Sequence, residues 1–121
     1  MKIKDIMSRD IVTCNPTDLI SEIAQSMRAL DIGCMPVVEG TRVIGMITDR
    51  DIVTRSVAKN GKRFVKDVMS DEVISVGPES TSLEAAEIMA QHRIRRLPVI
   101  KNDSIVGFVA LADLSVPSET A

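Results

Sequence analysis

The chain has 121 residues, a formal net charge of -2, 45% hydrophobic residues and neither Trp nor Tyr. That length suits one compact domain with an aliphatic core, Phe64 and Phe108 being its only aromatic side chains. The charge lacks the basic excess of a general nucleic-acid binder, the missing aromatics exclude a stacking platform for single strands, and no apolar run approaches the ~20 residues of a membrane helix.

Met1-Lys2-Ile3-Lys4-Asp5 lacks the apolar stretch that follows the basic start of a signal peptide, so the cytoplasm is expected. Ile11-Val12-Thr13-Cys14 is a short β-branched run, read as a strand that ends at Pro16. Thr17-Asp18 offer an N-cap, and Ile20, Ile23, Ala24, Met27 and Leu30 recur at helical spacing. Gly33 is placed as a left-handed helix cap. Cys34-Met35-Pro36-Val37-Val38 reads as a second strand, Glu39-Gly40-Thr41 as a turn, and Val43-Ile44-Gly45 as part of a third strand closing a hairpin. Thr48 then opens a helix that runs through Asp51, Ile52 and Val57 toward Gly61. Cys14 and Cys34, beside apolar residues, read as reduced, buried thiols, and with the single His92 they are too few for a zinc site.

After the polar linker Asn60-Gly61-Lys62-Arg63 the pattern returns. Val73-Ile74-Ser75-Val76 reads as a strand, and Thr81 with Glu84 forms a capping box before Leu83, Ala86, Met89 and Ala90. Leu97-Pro98-Val99-Ile100, the turn Lys101-Asn102-Asp103 and a further strand follow, then a short helical turn from Leu111 to Leu114. A shift of 62 positions lays residues 3–52 on 65–114 without a gap; 13 of these 50 pairs are identical, which marks a duplicated unit. Each copy alone is marginal in size, so the pair is the expected folding unit. The fold class is α/β: two β-α-β-β-α repeats, 1–58 and 65–116, packed about a pseudo-two-fold axis, with a linker at 59–64 and a loose tail at 117–121. Any cleft between the copies then occurs twice.

No catalytic constellation is present. His92 is the only histidine, and there is neither a nucleophile elbow nor a phosphate-binding glycine loop. One constellation stands out at Gly45 to Asp51, where a strand meets a helix. Thr48 and Asp51 lie three apart at the helix start, where backbone N–H groups point outward. The carboxylate suits vicinal ribose hydroxyls, and the hydroxyl with the amides suits a phosphate; the same spacing is also an ordinary capping box. A second cluster, His92-Arg93-Ile94-Arg95-Arg96, places Arg95 and Arg96 directly before a buried strand. Guanidinium groups bind phosphate in a bidentate way, which gives that pair a use beyond solvated surface.

These residues resemble a tandem pair of CBS domains, the repeat of cystathionine β-synthase, together called a Bateman module. The resemblance covers nearly the whole chain. It rests on the Lys-Asp-(Ile/Val)-Met-Ser openings, the Met-Pro-Val-Val and Leu-Pro-Val-Ile strands, and the Gly-x-x-Thr-x-x-Asp element. The close resemblance is to small stand-alone bacterial and archaeal proteins of this type. The resemblance implies sheet-to-sheet packing of the repeats and two related clefts for adenosyl ligands: AMP, ADP or ATP, or S-adenosylmethionine or NAD. It implies that Asp51 holds ribose hydroxyls, that Thr48 contacts ribose or phosphate, and that Val12, Thr13, Met35, Pro36 and Met46 enclose the base. Arg95 and Arg96 of the opposite repeat would meet the phosphates. It also implies a flat homodimer.

The copies differ where this matters. Ala110 stands in the place of Thr48, and Gly33 and Cys34 in the places of Arg95 and Arg96. Asp113 remains. The cleft of Ser75, Pro98, Ala110 and Asp113 is therefore expected to be the weaker, leaving one phosphate-binding site per chain. The expected function is regulatory binding of an adenine nucleotide without catalysis, membrane association or a required cofactor, acting on a regulated protein that the sequence does not name. The rival is a ligand-free dimerisation scaffold.

Overall fold

A computed structural model describes residues 1–59 and 61–114, so the expected tail at 117–121 lies outside the described residues. The chain divides into a central unit, Val12–Val73, and a terminal unit that joins Met1–Ile11 to the chain from Ile74 onward.

In the central unit, α1 (Ile20–Leu30) buries Ile20, Ile23 and Met27 on one stripe and leaves Leu30 exposed. Its N-cap is Leu19, which makes no side-chain cap bond. The carboxylate of Asp18 accepts instead from the Asn15 N–H at 2.8 Å, so the expected Thr17-Asp18 cap is replaced by a local turn. The helix stops on Asp31 in the left-handed region (φ 54°), two residues before Gly33. Ile32 closes the end by donating to the Met27 carbonyl at 3.0 Å while its side chain packs on the core, so the glycine is not needed there. β1 (Cys34–Glu39) pairs antiparallel with β2 (Arg42–Thr48) around a turn that holds Gly40 at φ 64°. β2 runs directly into α2 (Asp49–Asp51), which continues as a π-helical turn, Ile52–Ser56, and a 3-10 turn, Val57–Lys59. Cys14, Ile20, Ile23, Met27, Met35, Val37, Ile47, Ile52, Val65 and Val68 form the core of this unit. Cys14 is buried, its thiol pushed up to about 12 by desolvation, whereas Cys34 is half-buried rather than buried as expected.

The terminal unit follows the same plan. α3 (Ser82–His92) begins on the expected capping box: the Glu84 N–H donates to the Thr81 Oγ1 at 3.1 Å and the Thr81 N–H to the Glu84 carboxylate at 2.8 Å. It ends on Arg93 at φ 57°. Its buried stripe is Ala85 and Met89, so the expected stripe is rotated: Leu83 is 68% exposed and Ala90 faces solvent. β3 (Arg96–Lys101) and β4 (Ser104–Ala110) form the second hairpin, whose two turn residues, Asn102 and Asp103, both take positive φ. A 3-10 turn, Leu111–Leu114, closes the unit.

The runs Ile11–Cys14 and Val73–Val76 are not strands. Each keeps one parallel bridge, Cys14 to Val37 and Val76 to Val99. The Cys14 N–H donates to the Pro36 carbonyl at 3.0 Å and the Val38 N–H to the Cys14 carbonyl at 2.8 Å, and there the ladder ends. The unit boundaries fall at Ile11–Val12 and Val73–Ile74, so these β-branched runs spend their length passing between units rather than pairing.

The two openings also dock in a way the duplication does not reveal. The opening of the first repeat, with its 3-10 turn Ile3–Asp5, joins the terminal unit: Ser8 and Phe108 exchange hydrogen bonds at 2.8 and 2.9 Å. The opening of the second, with its turn Val65–Asp67, joins the central unit: Ser70 and Met46 exchange bonds at 2.8 and 2.9 Å. Each opening crosses a strand at a glycine. A Cβ on Gly45 would lie 2.6 Å from the Ser70 carbonyl oxygen, and one on Gly107 would meet the Met7 side chain. In the terminal unit Lys2 and Lys4 reach Glu79 at 2.9 and 3.2 Å, and these partners hold its carboxyl below the usual range.

Candidate ligand site

The central unit builds the Thr48 and Asp51 pair from a strand end and the helical turn after it. Thr48 ends β2 in extended conformation and caps α2. The Asp51 N–H donates to the Thr48 Oγ1 at 3.0 Å, and the Thr48 N–H donates to the Asp51 Oδ2 at 3.0 Å. The reciprocal capping box anticipated for this spacing is therefore real. It uses one carboxylate oxygen of Asp51. The other, Oδ1, lies 3.8 Å from the Arg55 Nε, a separation of charge contact rather than of a hydrogen bond. The Asp51 side chain keeps 18% of its exposure. The corner is tied back to the residue just before β1 by the Asp49 N–H, which donates to the Gly33 carbonyl at 2.9 Å.

The other expected residues of this unit divide into floor and rim. Pro36 is buried and lies opposite the half-buried Met46 across the β1–β2 ladder. Met35 is 1% exposed and belongs to the hydrophobic core. Val12 is 37% exposed and Thr13 half-buried, directly before the Cys14 bridge to β1.

Arg95 and Arg96 belong to the terminal unit, at the start of β3, and both are exposed. The Arg95 carbonyl accepts from the Leu111 N–H at 2.8 Å, and Arg96 lies opposite Ala110 in the β3–β4 ladder. Among the described residues neither guanidinium forms an ion pair. The second Asp element is half of a capping box. The Ala110 N–H donates to the Asp113 Oδ2 at 2.9 Å, but Ala110 has no oxygen to accept the return bond. Asp113 is exposed where Asp51 is half-buried; Ser75 is half-buried and Pro98 buried opposite Phe108. His92, the last residue of α3, is exposed. Among the described residues no group of three His, Cys, Asp or Glu side chains gathers as a metal site, and no helix is long and apolar enough to cross a membrane.

Arg55 is the residue that sequence reasoning passed over. Besides its charge contact with Asp51, its Nη1 donates to the Val68 carbonyl at 3.3 Å. The available signal was its place four residues after Asp51 in a helical stretch.

Two copies of one hairpin-and-helix unit, each with an Asp bonded to its own strand-to-helix corner, define a tandem-repeat module. The chain belongs to the CBS domain family, whose profile matches residues 3–58 and 65–115. It is 42% identical over 116 residues to the CBS domain-containing protein YhcV of Bacillus subtilis, covering 94% of this chain and 83% of that protein. It is 38% identical over 107 residues to an inosine-5'-monophosphate dehydrogenase of Korarchaeum cryptofilum, covering 88% of this chain but 22% of that enzyme. Among solved structures, the CBS domain pair of protein MJ0100, in complex with 5-methylthioadenosine and S-adenosyl-L-methionine, matches with a TM-score of 0.86 and 27% identity over 94% of this chain and 92% of that one.

Proposed function

We propose that the chain is a non-catalytic regulatory module of the cytoplasm that binds an adenosyl ligand of the AMP, ADP or ATP type. Asp51 takes the ribose hydroxyls, Thr48 the ribose or phosphate, and Arg95 and Arg96 the phosphates. Pro36, Met46, Val12, Thr13 and the backbone of Met35 enclose the base. The observation that carries this reading is the Asp51 carboxylate: one oxygen is spent on the Thr48 cap, and the other makes no hydrogen bond among the described residues. A carboxylate fixed in this way can accept from two adjacent hydroxyls. The adenosyl ligands of the MJ0100 pair support the ligand class. The half-formed corner at Ala110 and Asp113 supports one preferred site per chain. A second copy of the chain is the proposed partner, with exposed Val53, Val57, Leu83 and Leu111 as apolar surface to cover. The module passes its ligand state to a regulated protein by binding two conformations with different affinity.

The test is thermal melting with an external dye, since Trp and Tyr are missing, against AMP, ADP, ATP, NAD, S-adenosylmethionine and GTP. A ligand at 100 times its dissociation constant adds about 2.7 kcal/mol of stability. The expected result is a rise in Tm with at least one adenosyl compound and its loss in Asp51→Ala. No rise with any of them would favour the scaffold reading.

A further inference from the structure

Arg55 lies in the π-helical turn Ile52–Ser56, so its side chain leaves the helix from a widened turn, a local irregularity often found at functional positions. Two contacts fix it. Nη1 donates to the Val68 carbonyl at 3.3 Å, and Nε lies 3.8 Å from the Asp51 Oδ1. The first is a hydrogen bond to the backbone of the docked opening. The second is too long to use up an acceptor site on the carboxylate. The guanidinium thus supplies positive charge beside Asp51 without occupying the lone pairs of Oδ1. The Thr48 N–H holds Oδ2 from the other side at 3.0 Å. Asp51 is gripped at both oxygens, by a hydrogen bond at one and by charge at the other. The sequence gives the second repeat no such partner, because Pro117 stands 62 positions after Arg55.

We propose that Arg55 is a positioning residue for the ribose-binding carboxylate: anchored on the Val68 carbonyl, it orients Asp51 while leaving Oδ1 open to the ligand. This rests on the proposed adenosyl binding. It makes a specific demand on the ligand series. A residue acting through the ribose carboxylate affects adenosine, AMP and ATP alike, whereas one that touches phosphate affects them in order of charge.

The experiment is calorimetric titration of the full chain with adenosine, AMP, ATP and 2',3'-dideoxyadenosine, for the wild type, Arg55→Gln, Arg55→Lys, Asp51→Asn and the double variant Arg55→Gln/Asp51→Asn. Ligand-free melting checks that each variant is folded. Arg55→Gln is expected to weaken adenosine, AMP and ATP by one common factor of about two- to fivefold, the range of a partly exposed ion pair. The factor should vanish for the dideoxy ligand and in the Asp51→Asn background, and Arg55→Lys should recover part of it. Unchanged affinity in Arg55→Gln, a loss that grows with phosphate number, or a loss that persists without Asp51 each overturns the assignment. A wild type that binds none of the four overturns the ligand reading itself and Arg55's role with it.

Discussion

Thr48 and Ala110 hold the same place in the repeat, and one hydroxyl separates a closed corner from a half-closed one. At Thr48 two hydrogen bonds of 3.0 Å run in opposite directions; at Ala110 only the bond to Asp113, at 2.9 Å, survives. Losing a cap hydroxyl costs about 1 kcal/mol. Thr48→Ala should lower Tm by about 4 °C, and Ala110→Thr should raise it by a similar or smaller amount, measured by dye-monitored melting. No gain from Ala110→Thr would show that Asp113 is not placed to donate its backbone N–H to the new hydroxyl. This much was legible in the sequence, because a capping box is a local device whose partners sit three residues apart. The Arg55 contact with the Val68 carbonyl was not, since its partners lie thirteen residues apart in a segment whose docking no local pattern encodes.

Among the elements, both hairpins, the buried stripe of α1 and the capping box of α3 were read well, whereas the stripe of α3 and the first strand of each repeat were not. A hairpin and an amphipathic helix state their own pairing or burial in their periodicity. A β-branched run such as Ile11–Cys14 states only that it favours extended backbone, and here only Cys14 finds a partner. Both helix ends were also harder to read. Asp31 and Arg93 take the left-handed turn themselves, so the glycine signal pointed two residues too far in α1. Gly45 and Gly107 look equivalent in the sequence, yet their surroundings differ. A methyl group at Gly45 meets a backbone carbonyl at 2.6 Å, which shifts only if the Ser70 pairing gives way. At Gly107 the nearest atoms are the thioether end of Met7, which can rotate, with the Ser8 carbonyl at 3.1 Å. Gly45→Ala should therefore cost about 1–3 kcal/mol, as overpacking does, and Gly107→Ala distinctly less. Chemical denaturation of the two variants would reverse this ranking if the openings were loosely held.

Over the whole chain, the duplication visible at a 62-residue shift defines the repeats but not the units that pack. The openings Lys4–Ser8 and Lys66–Ser70 are nearly the same sequence, and each hairpin offers the same glycine. Nothing in the residues distinguishes docking on the nearer hairpin from docking on the farther one. The structure puts Ile3 in the core with Val99 and Leu97, and Val65 and Val68 in the core with Ile20 and Val37. Cutting the chain at the repeat boundary removes Val65 and Val68 from one core and Ile3 from the other. A fragment of residues 12–73 should give a cooperative thermal transition, and a fragment of residues 1–62 should not, as read by circular dichroism. Equal behaviour of the two would mean that the openings are dispensable.

The exchanged openings also set a timetable for synthesis. The central unit is one uninterrupted stretch, so it has every residue it needs once Val73 has left the ribosome. The terminal unit cannot close then. Ser8 must wait for Phe108, and Ile3 for Ser80, so residues 3–8, made before the central unit, are placed after it. Contacts so distant along the chain form slowly. During that wait the apolar face of Ile3, Ile6 and Met7 travels uncovered, and this opening is where the nascent chain is most exposed to aggregation.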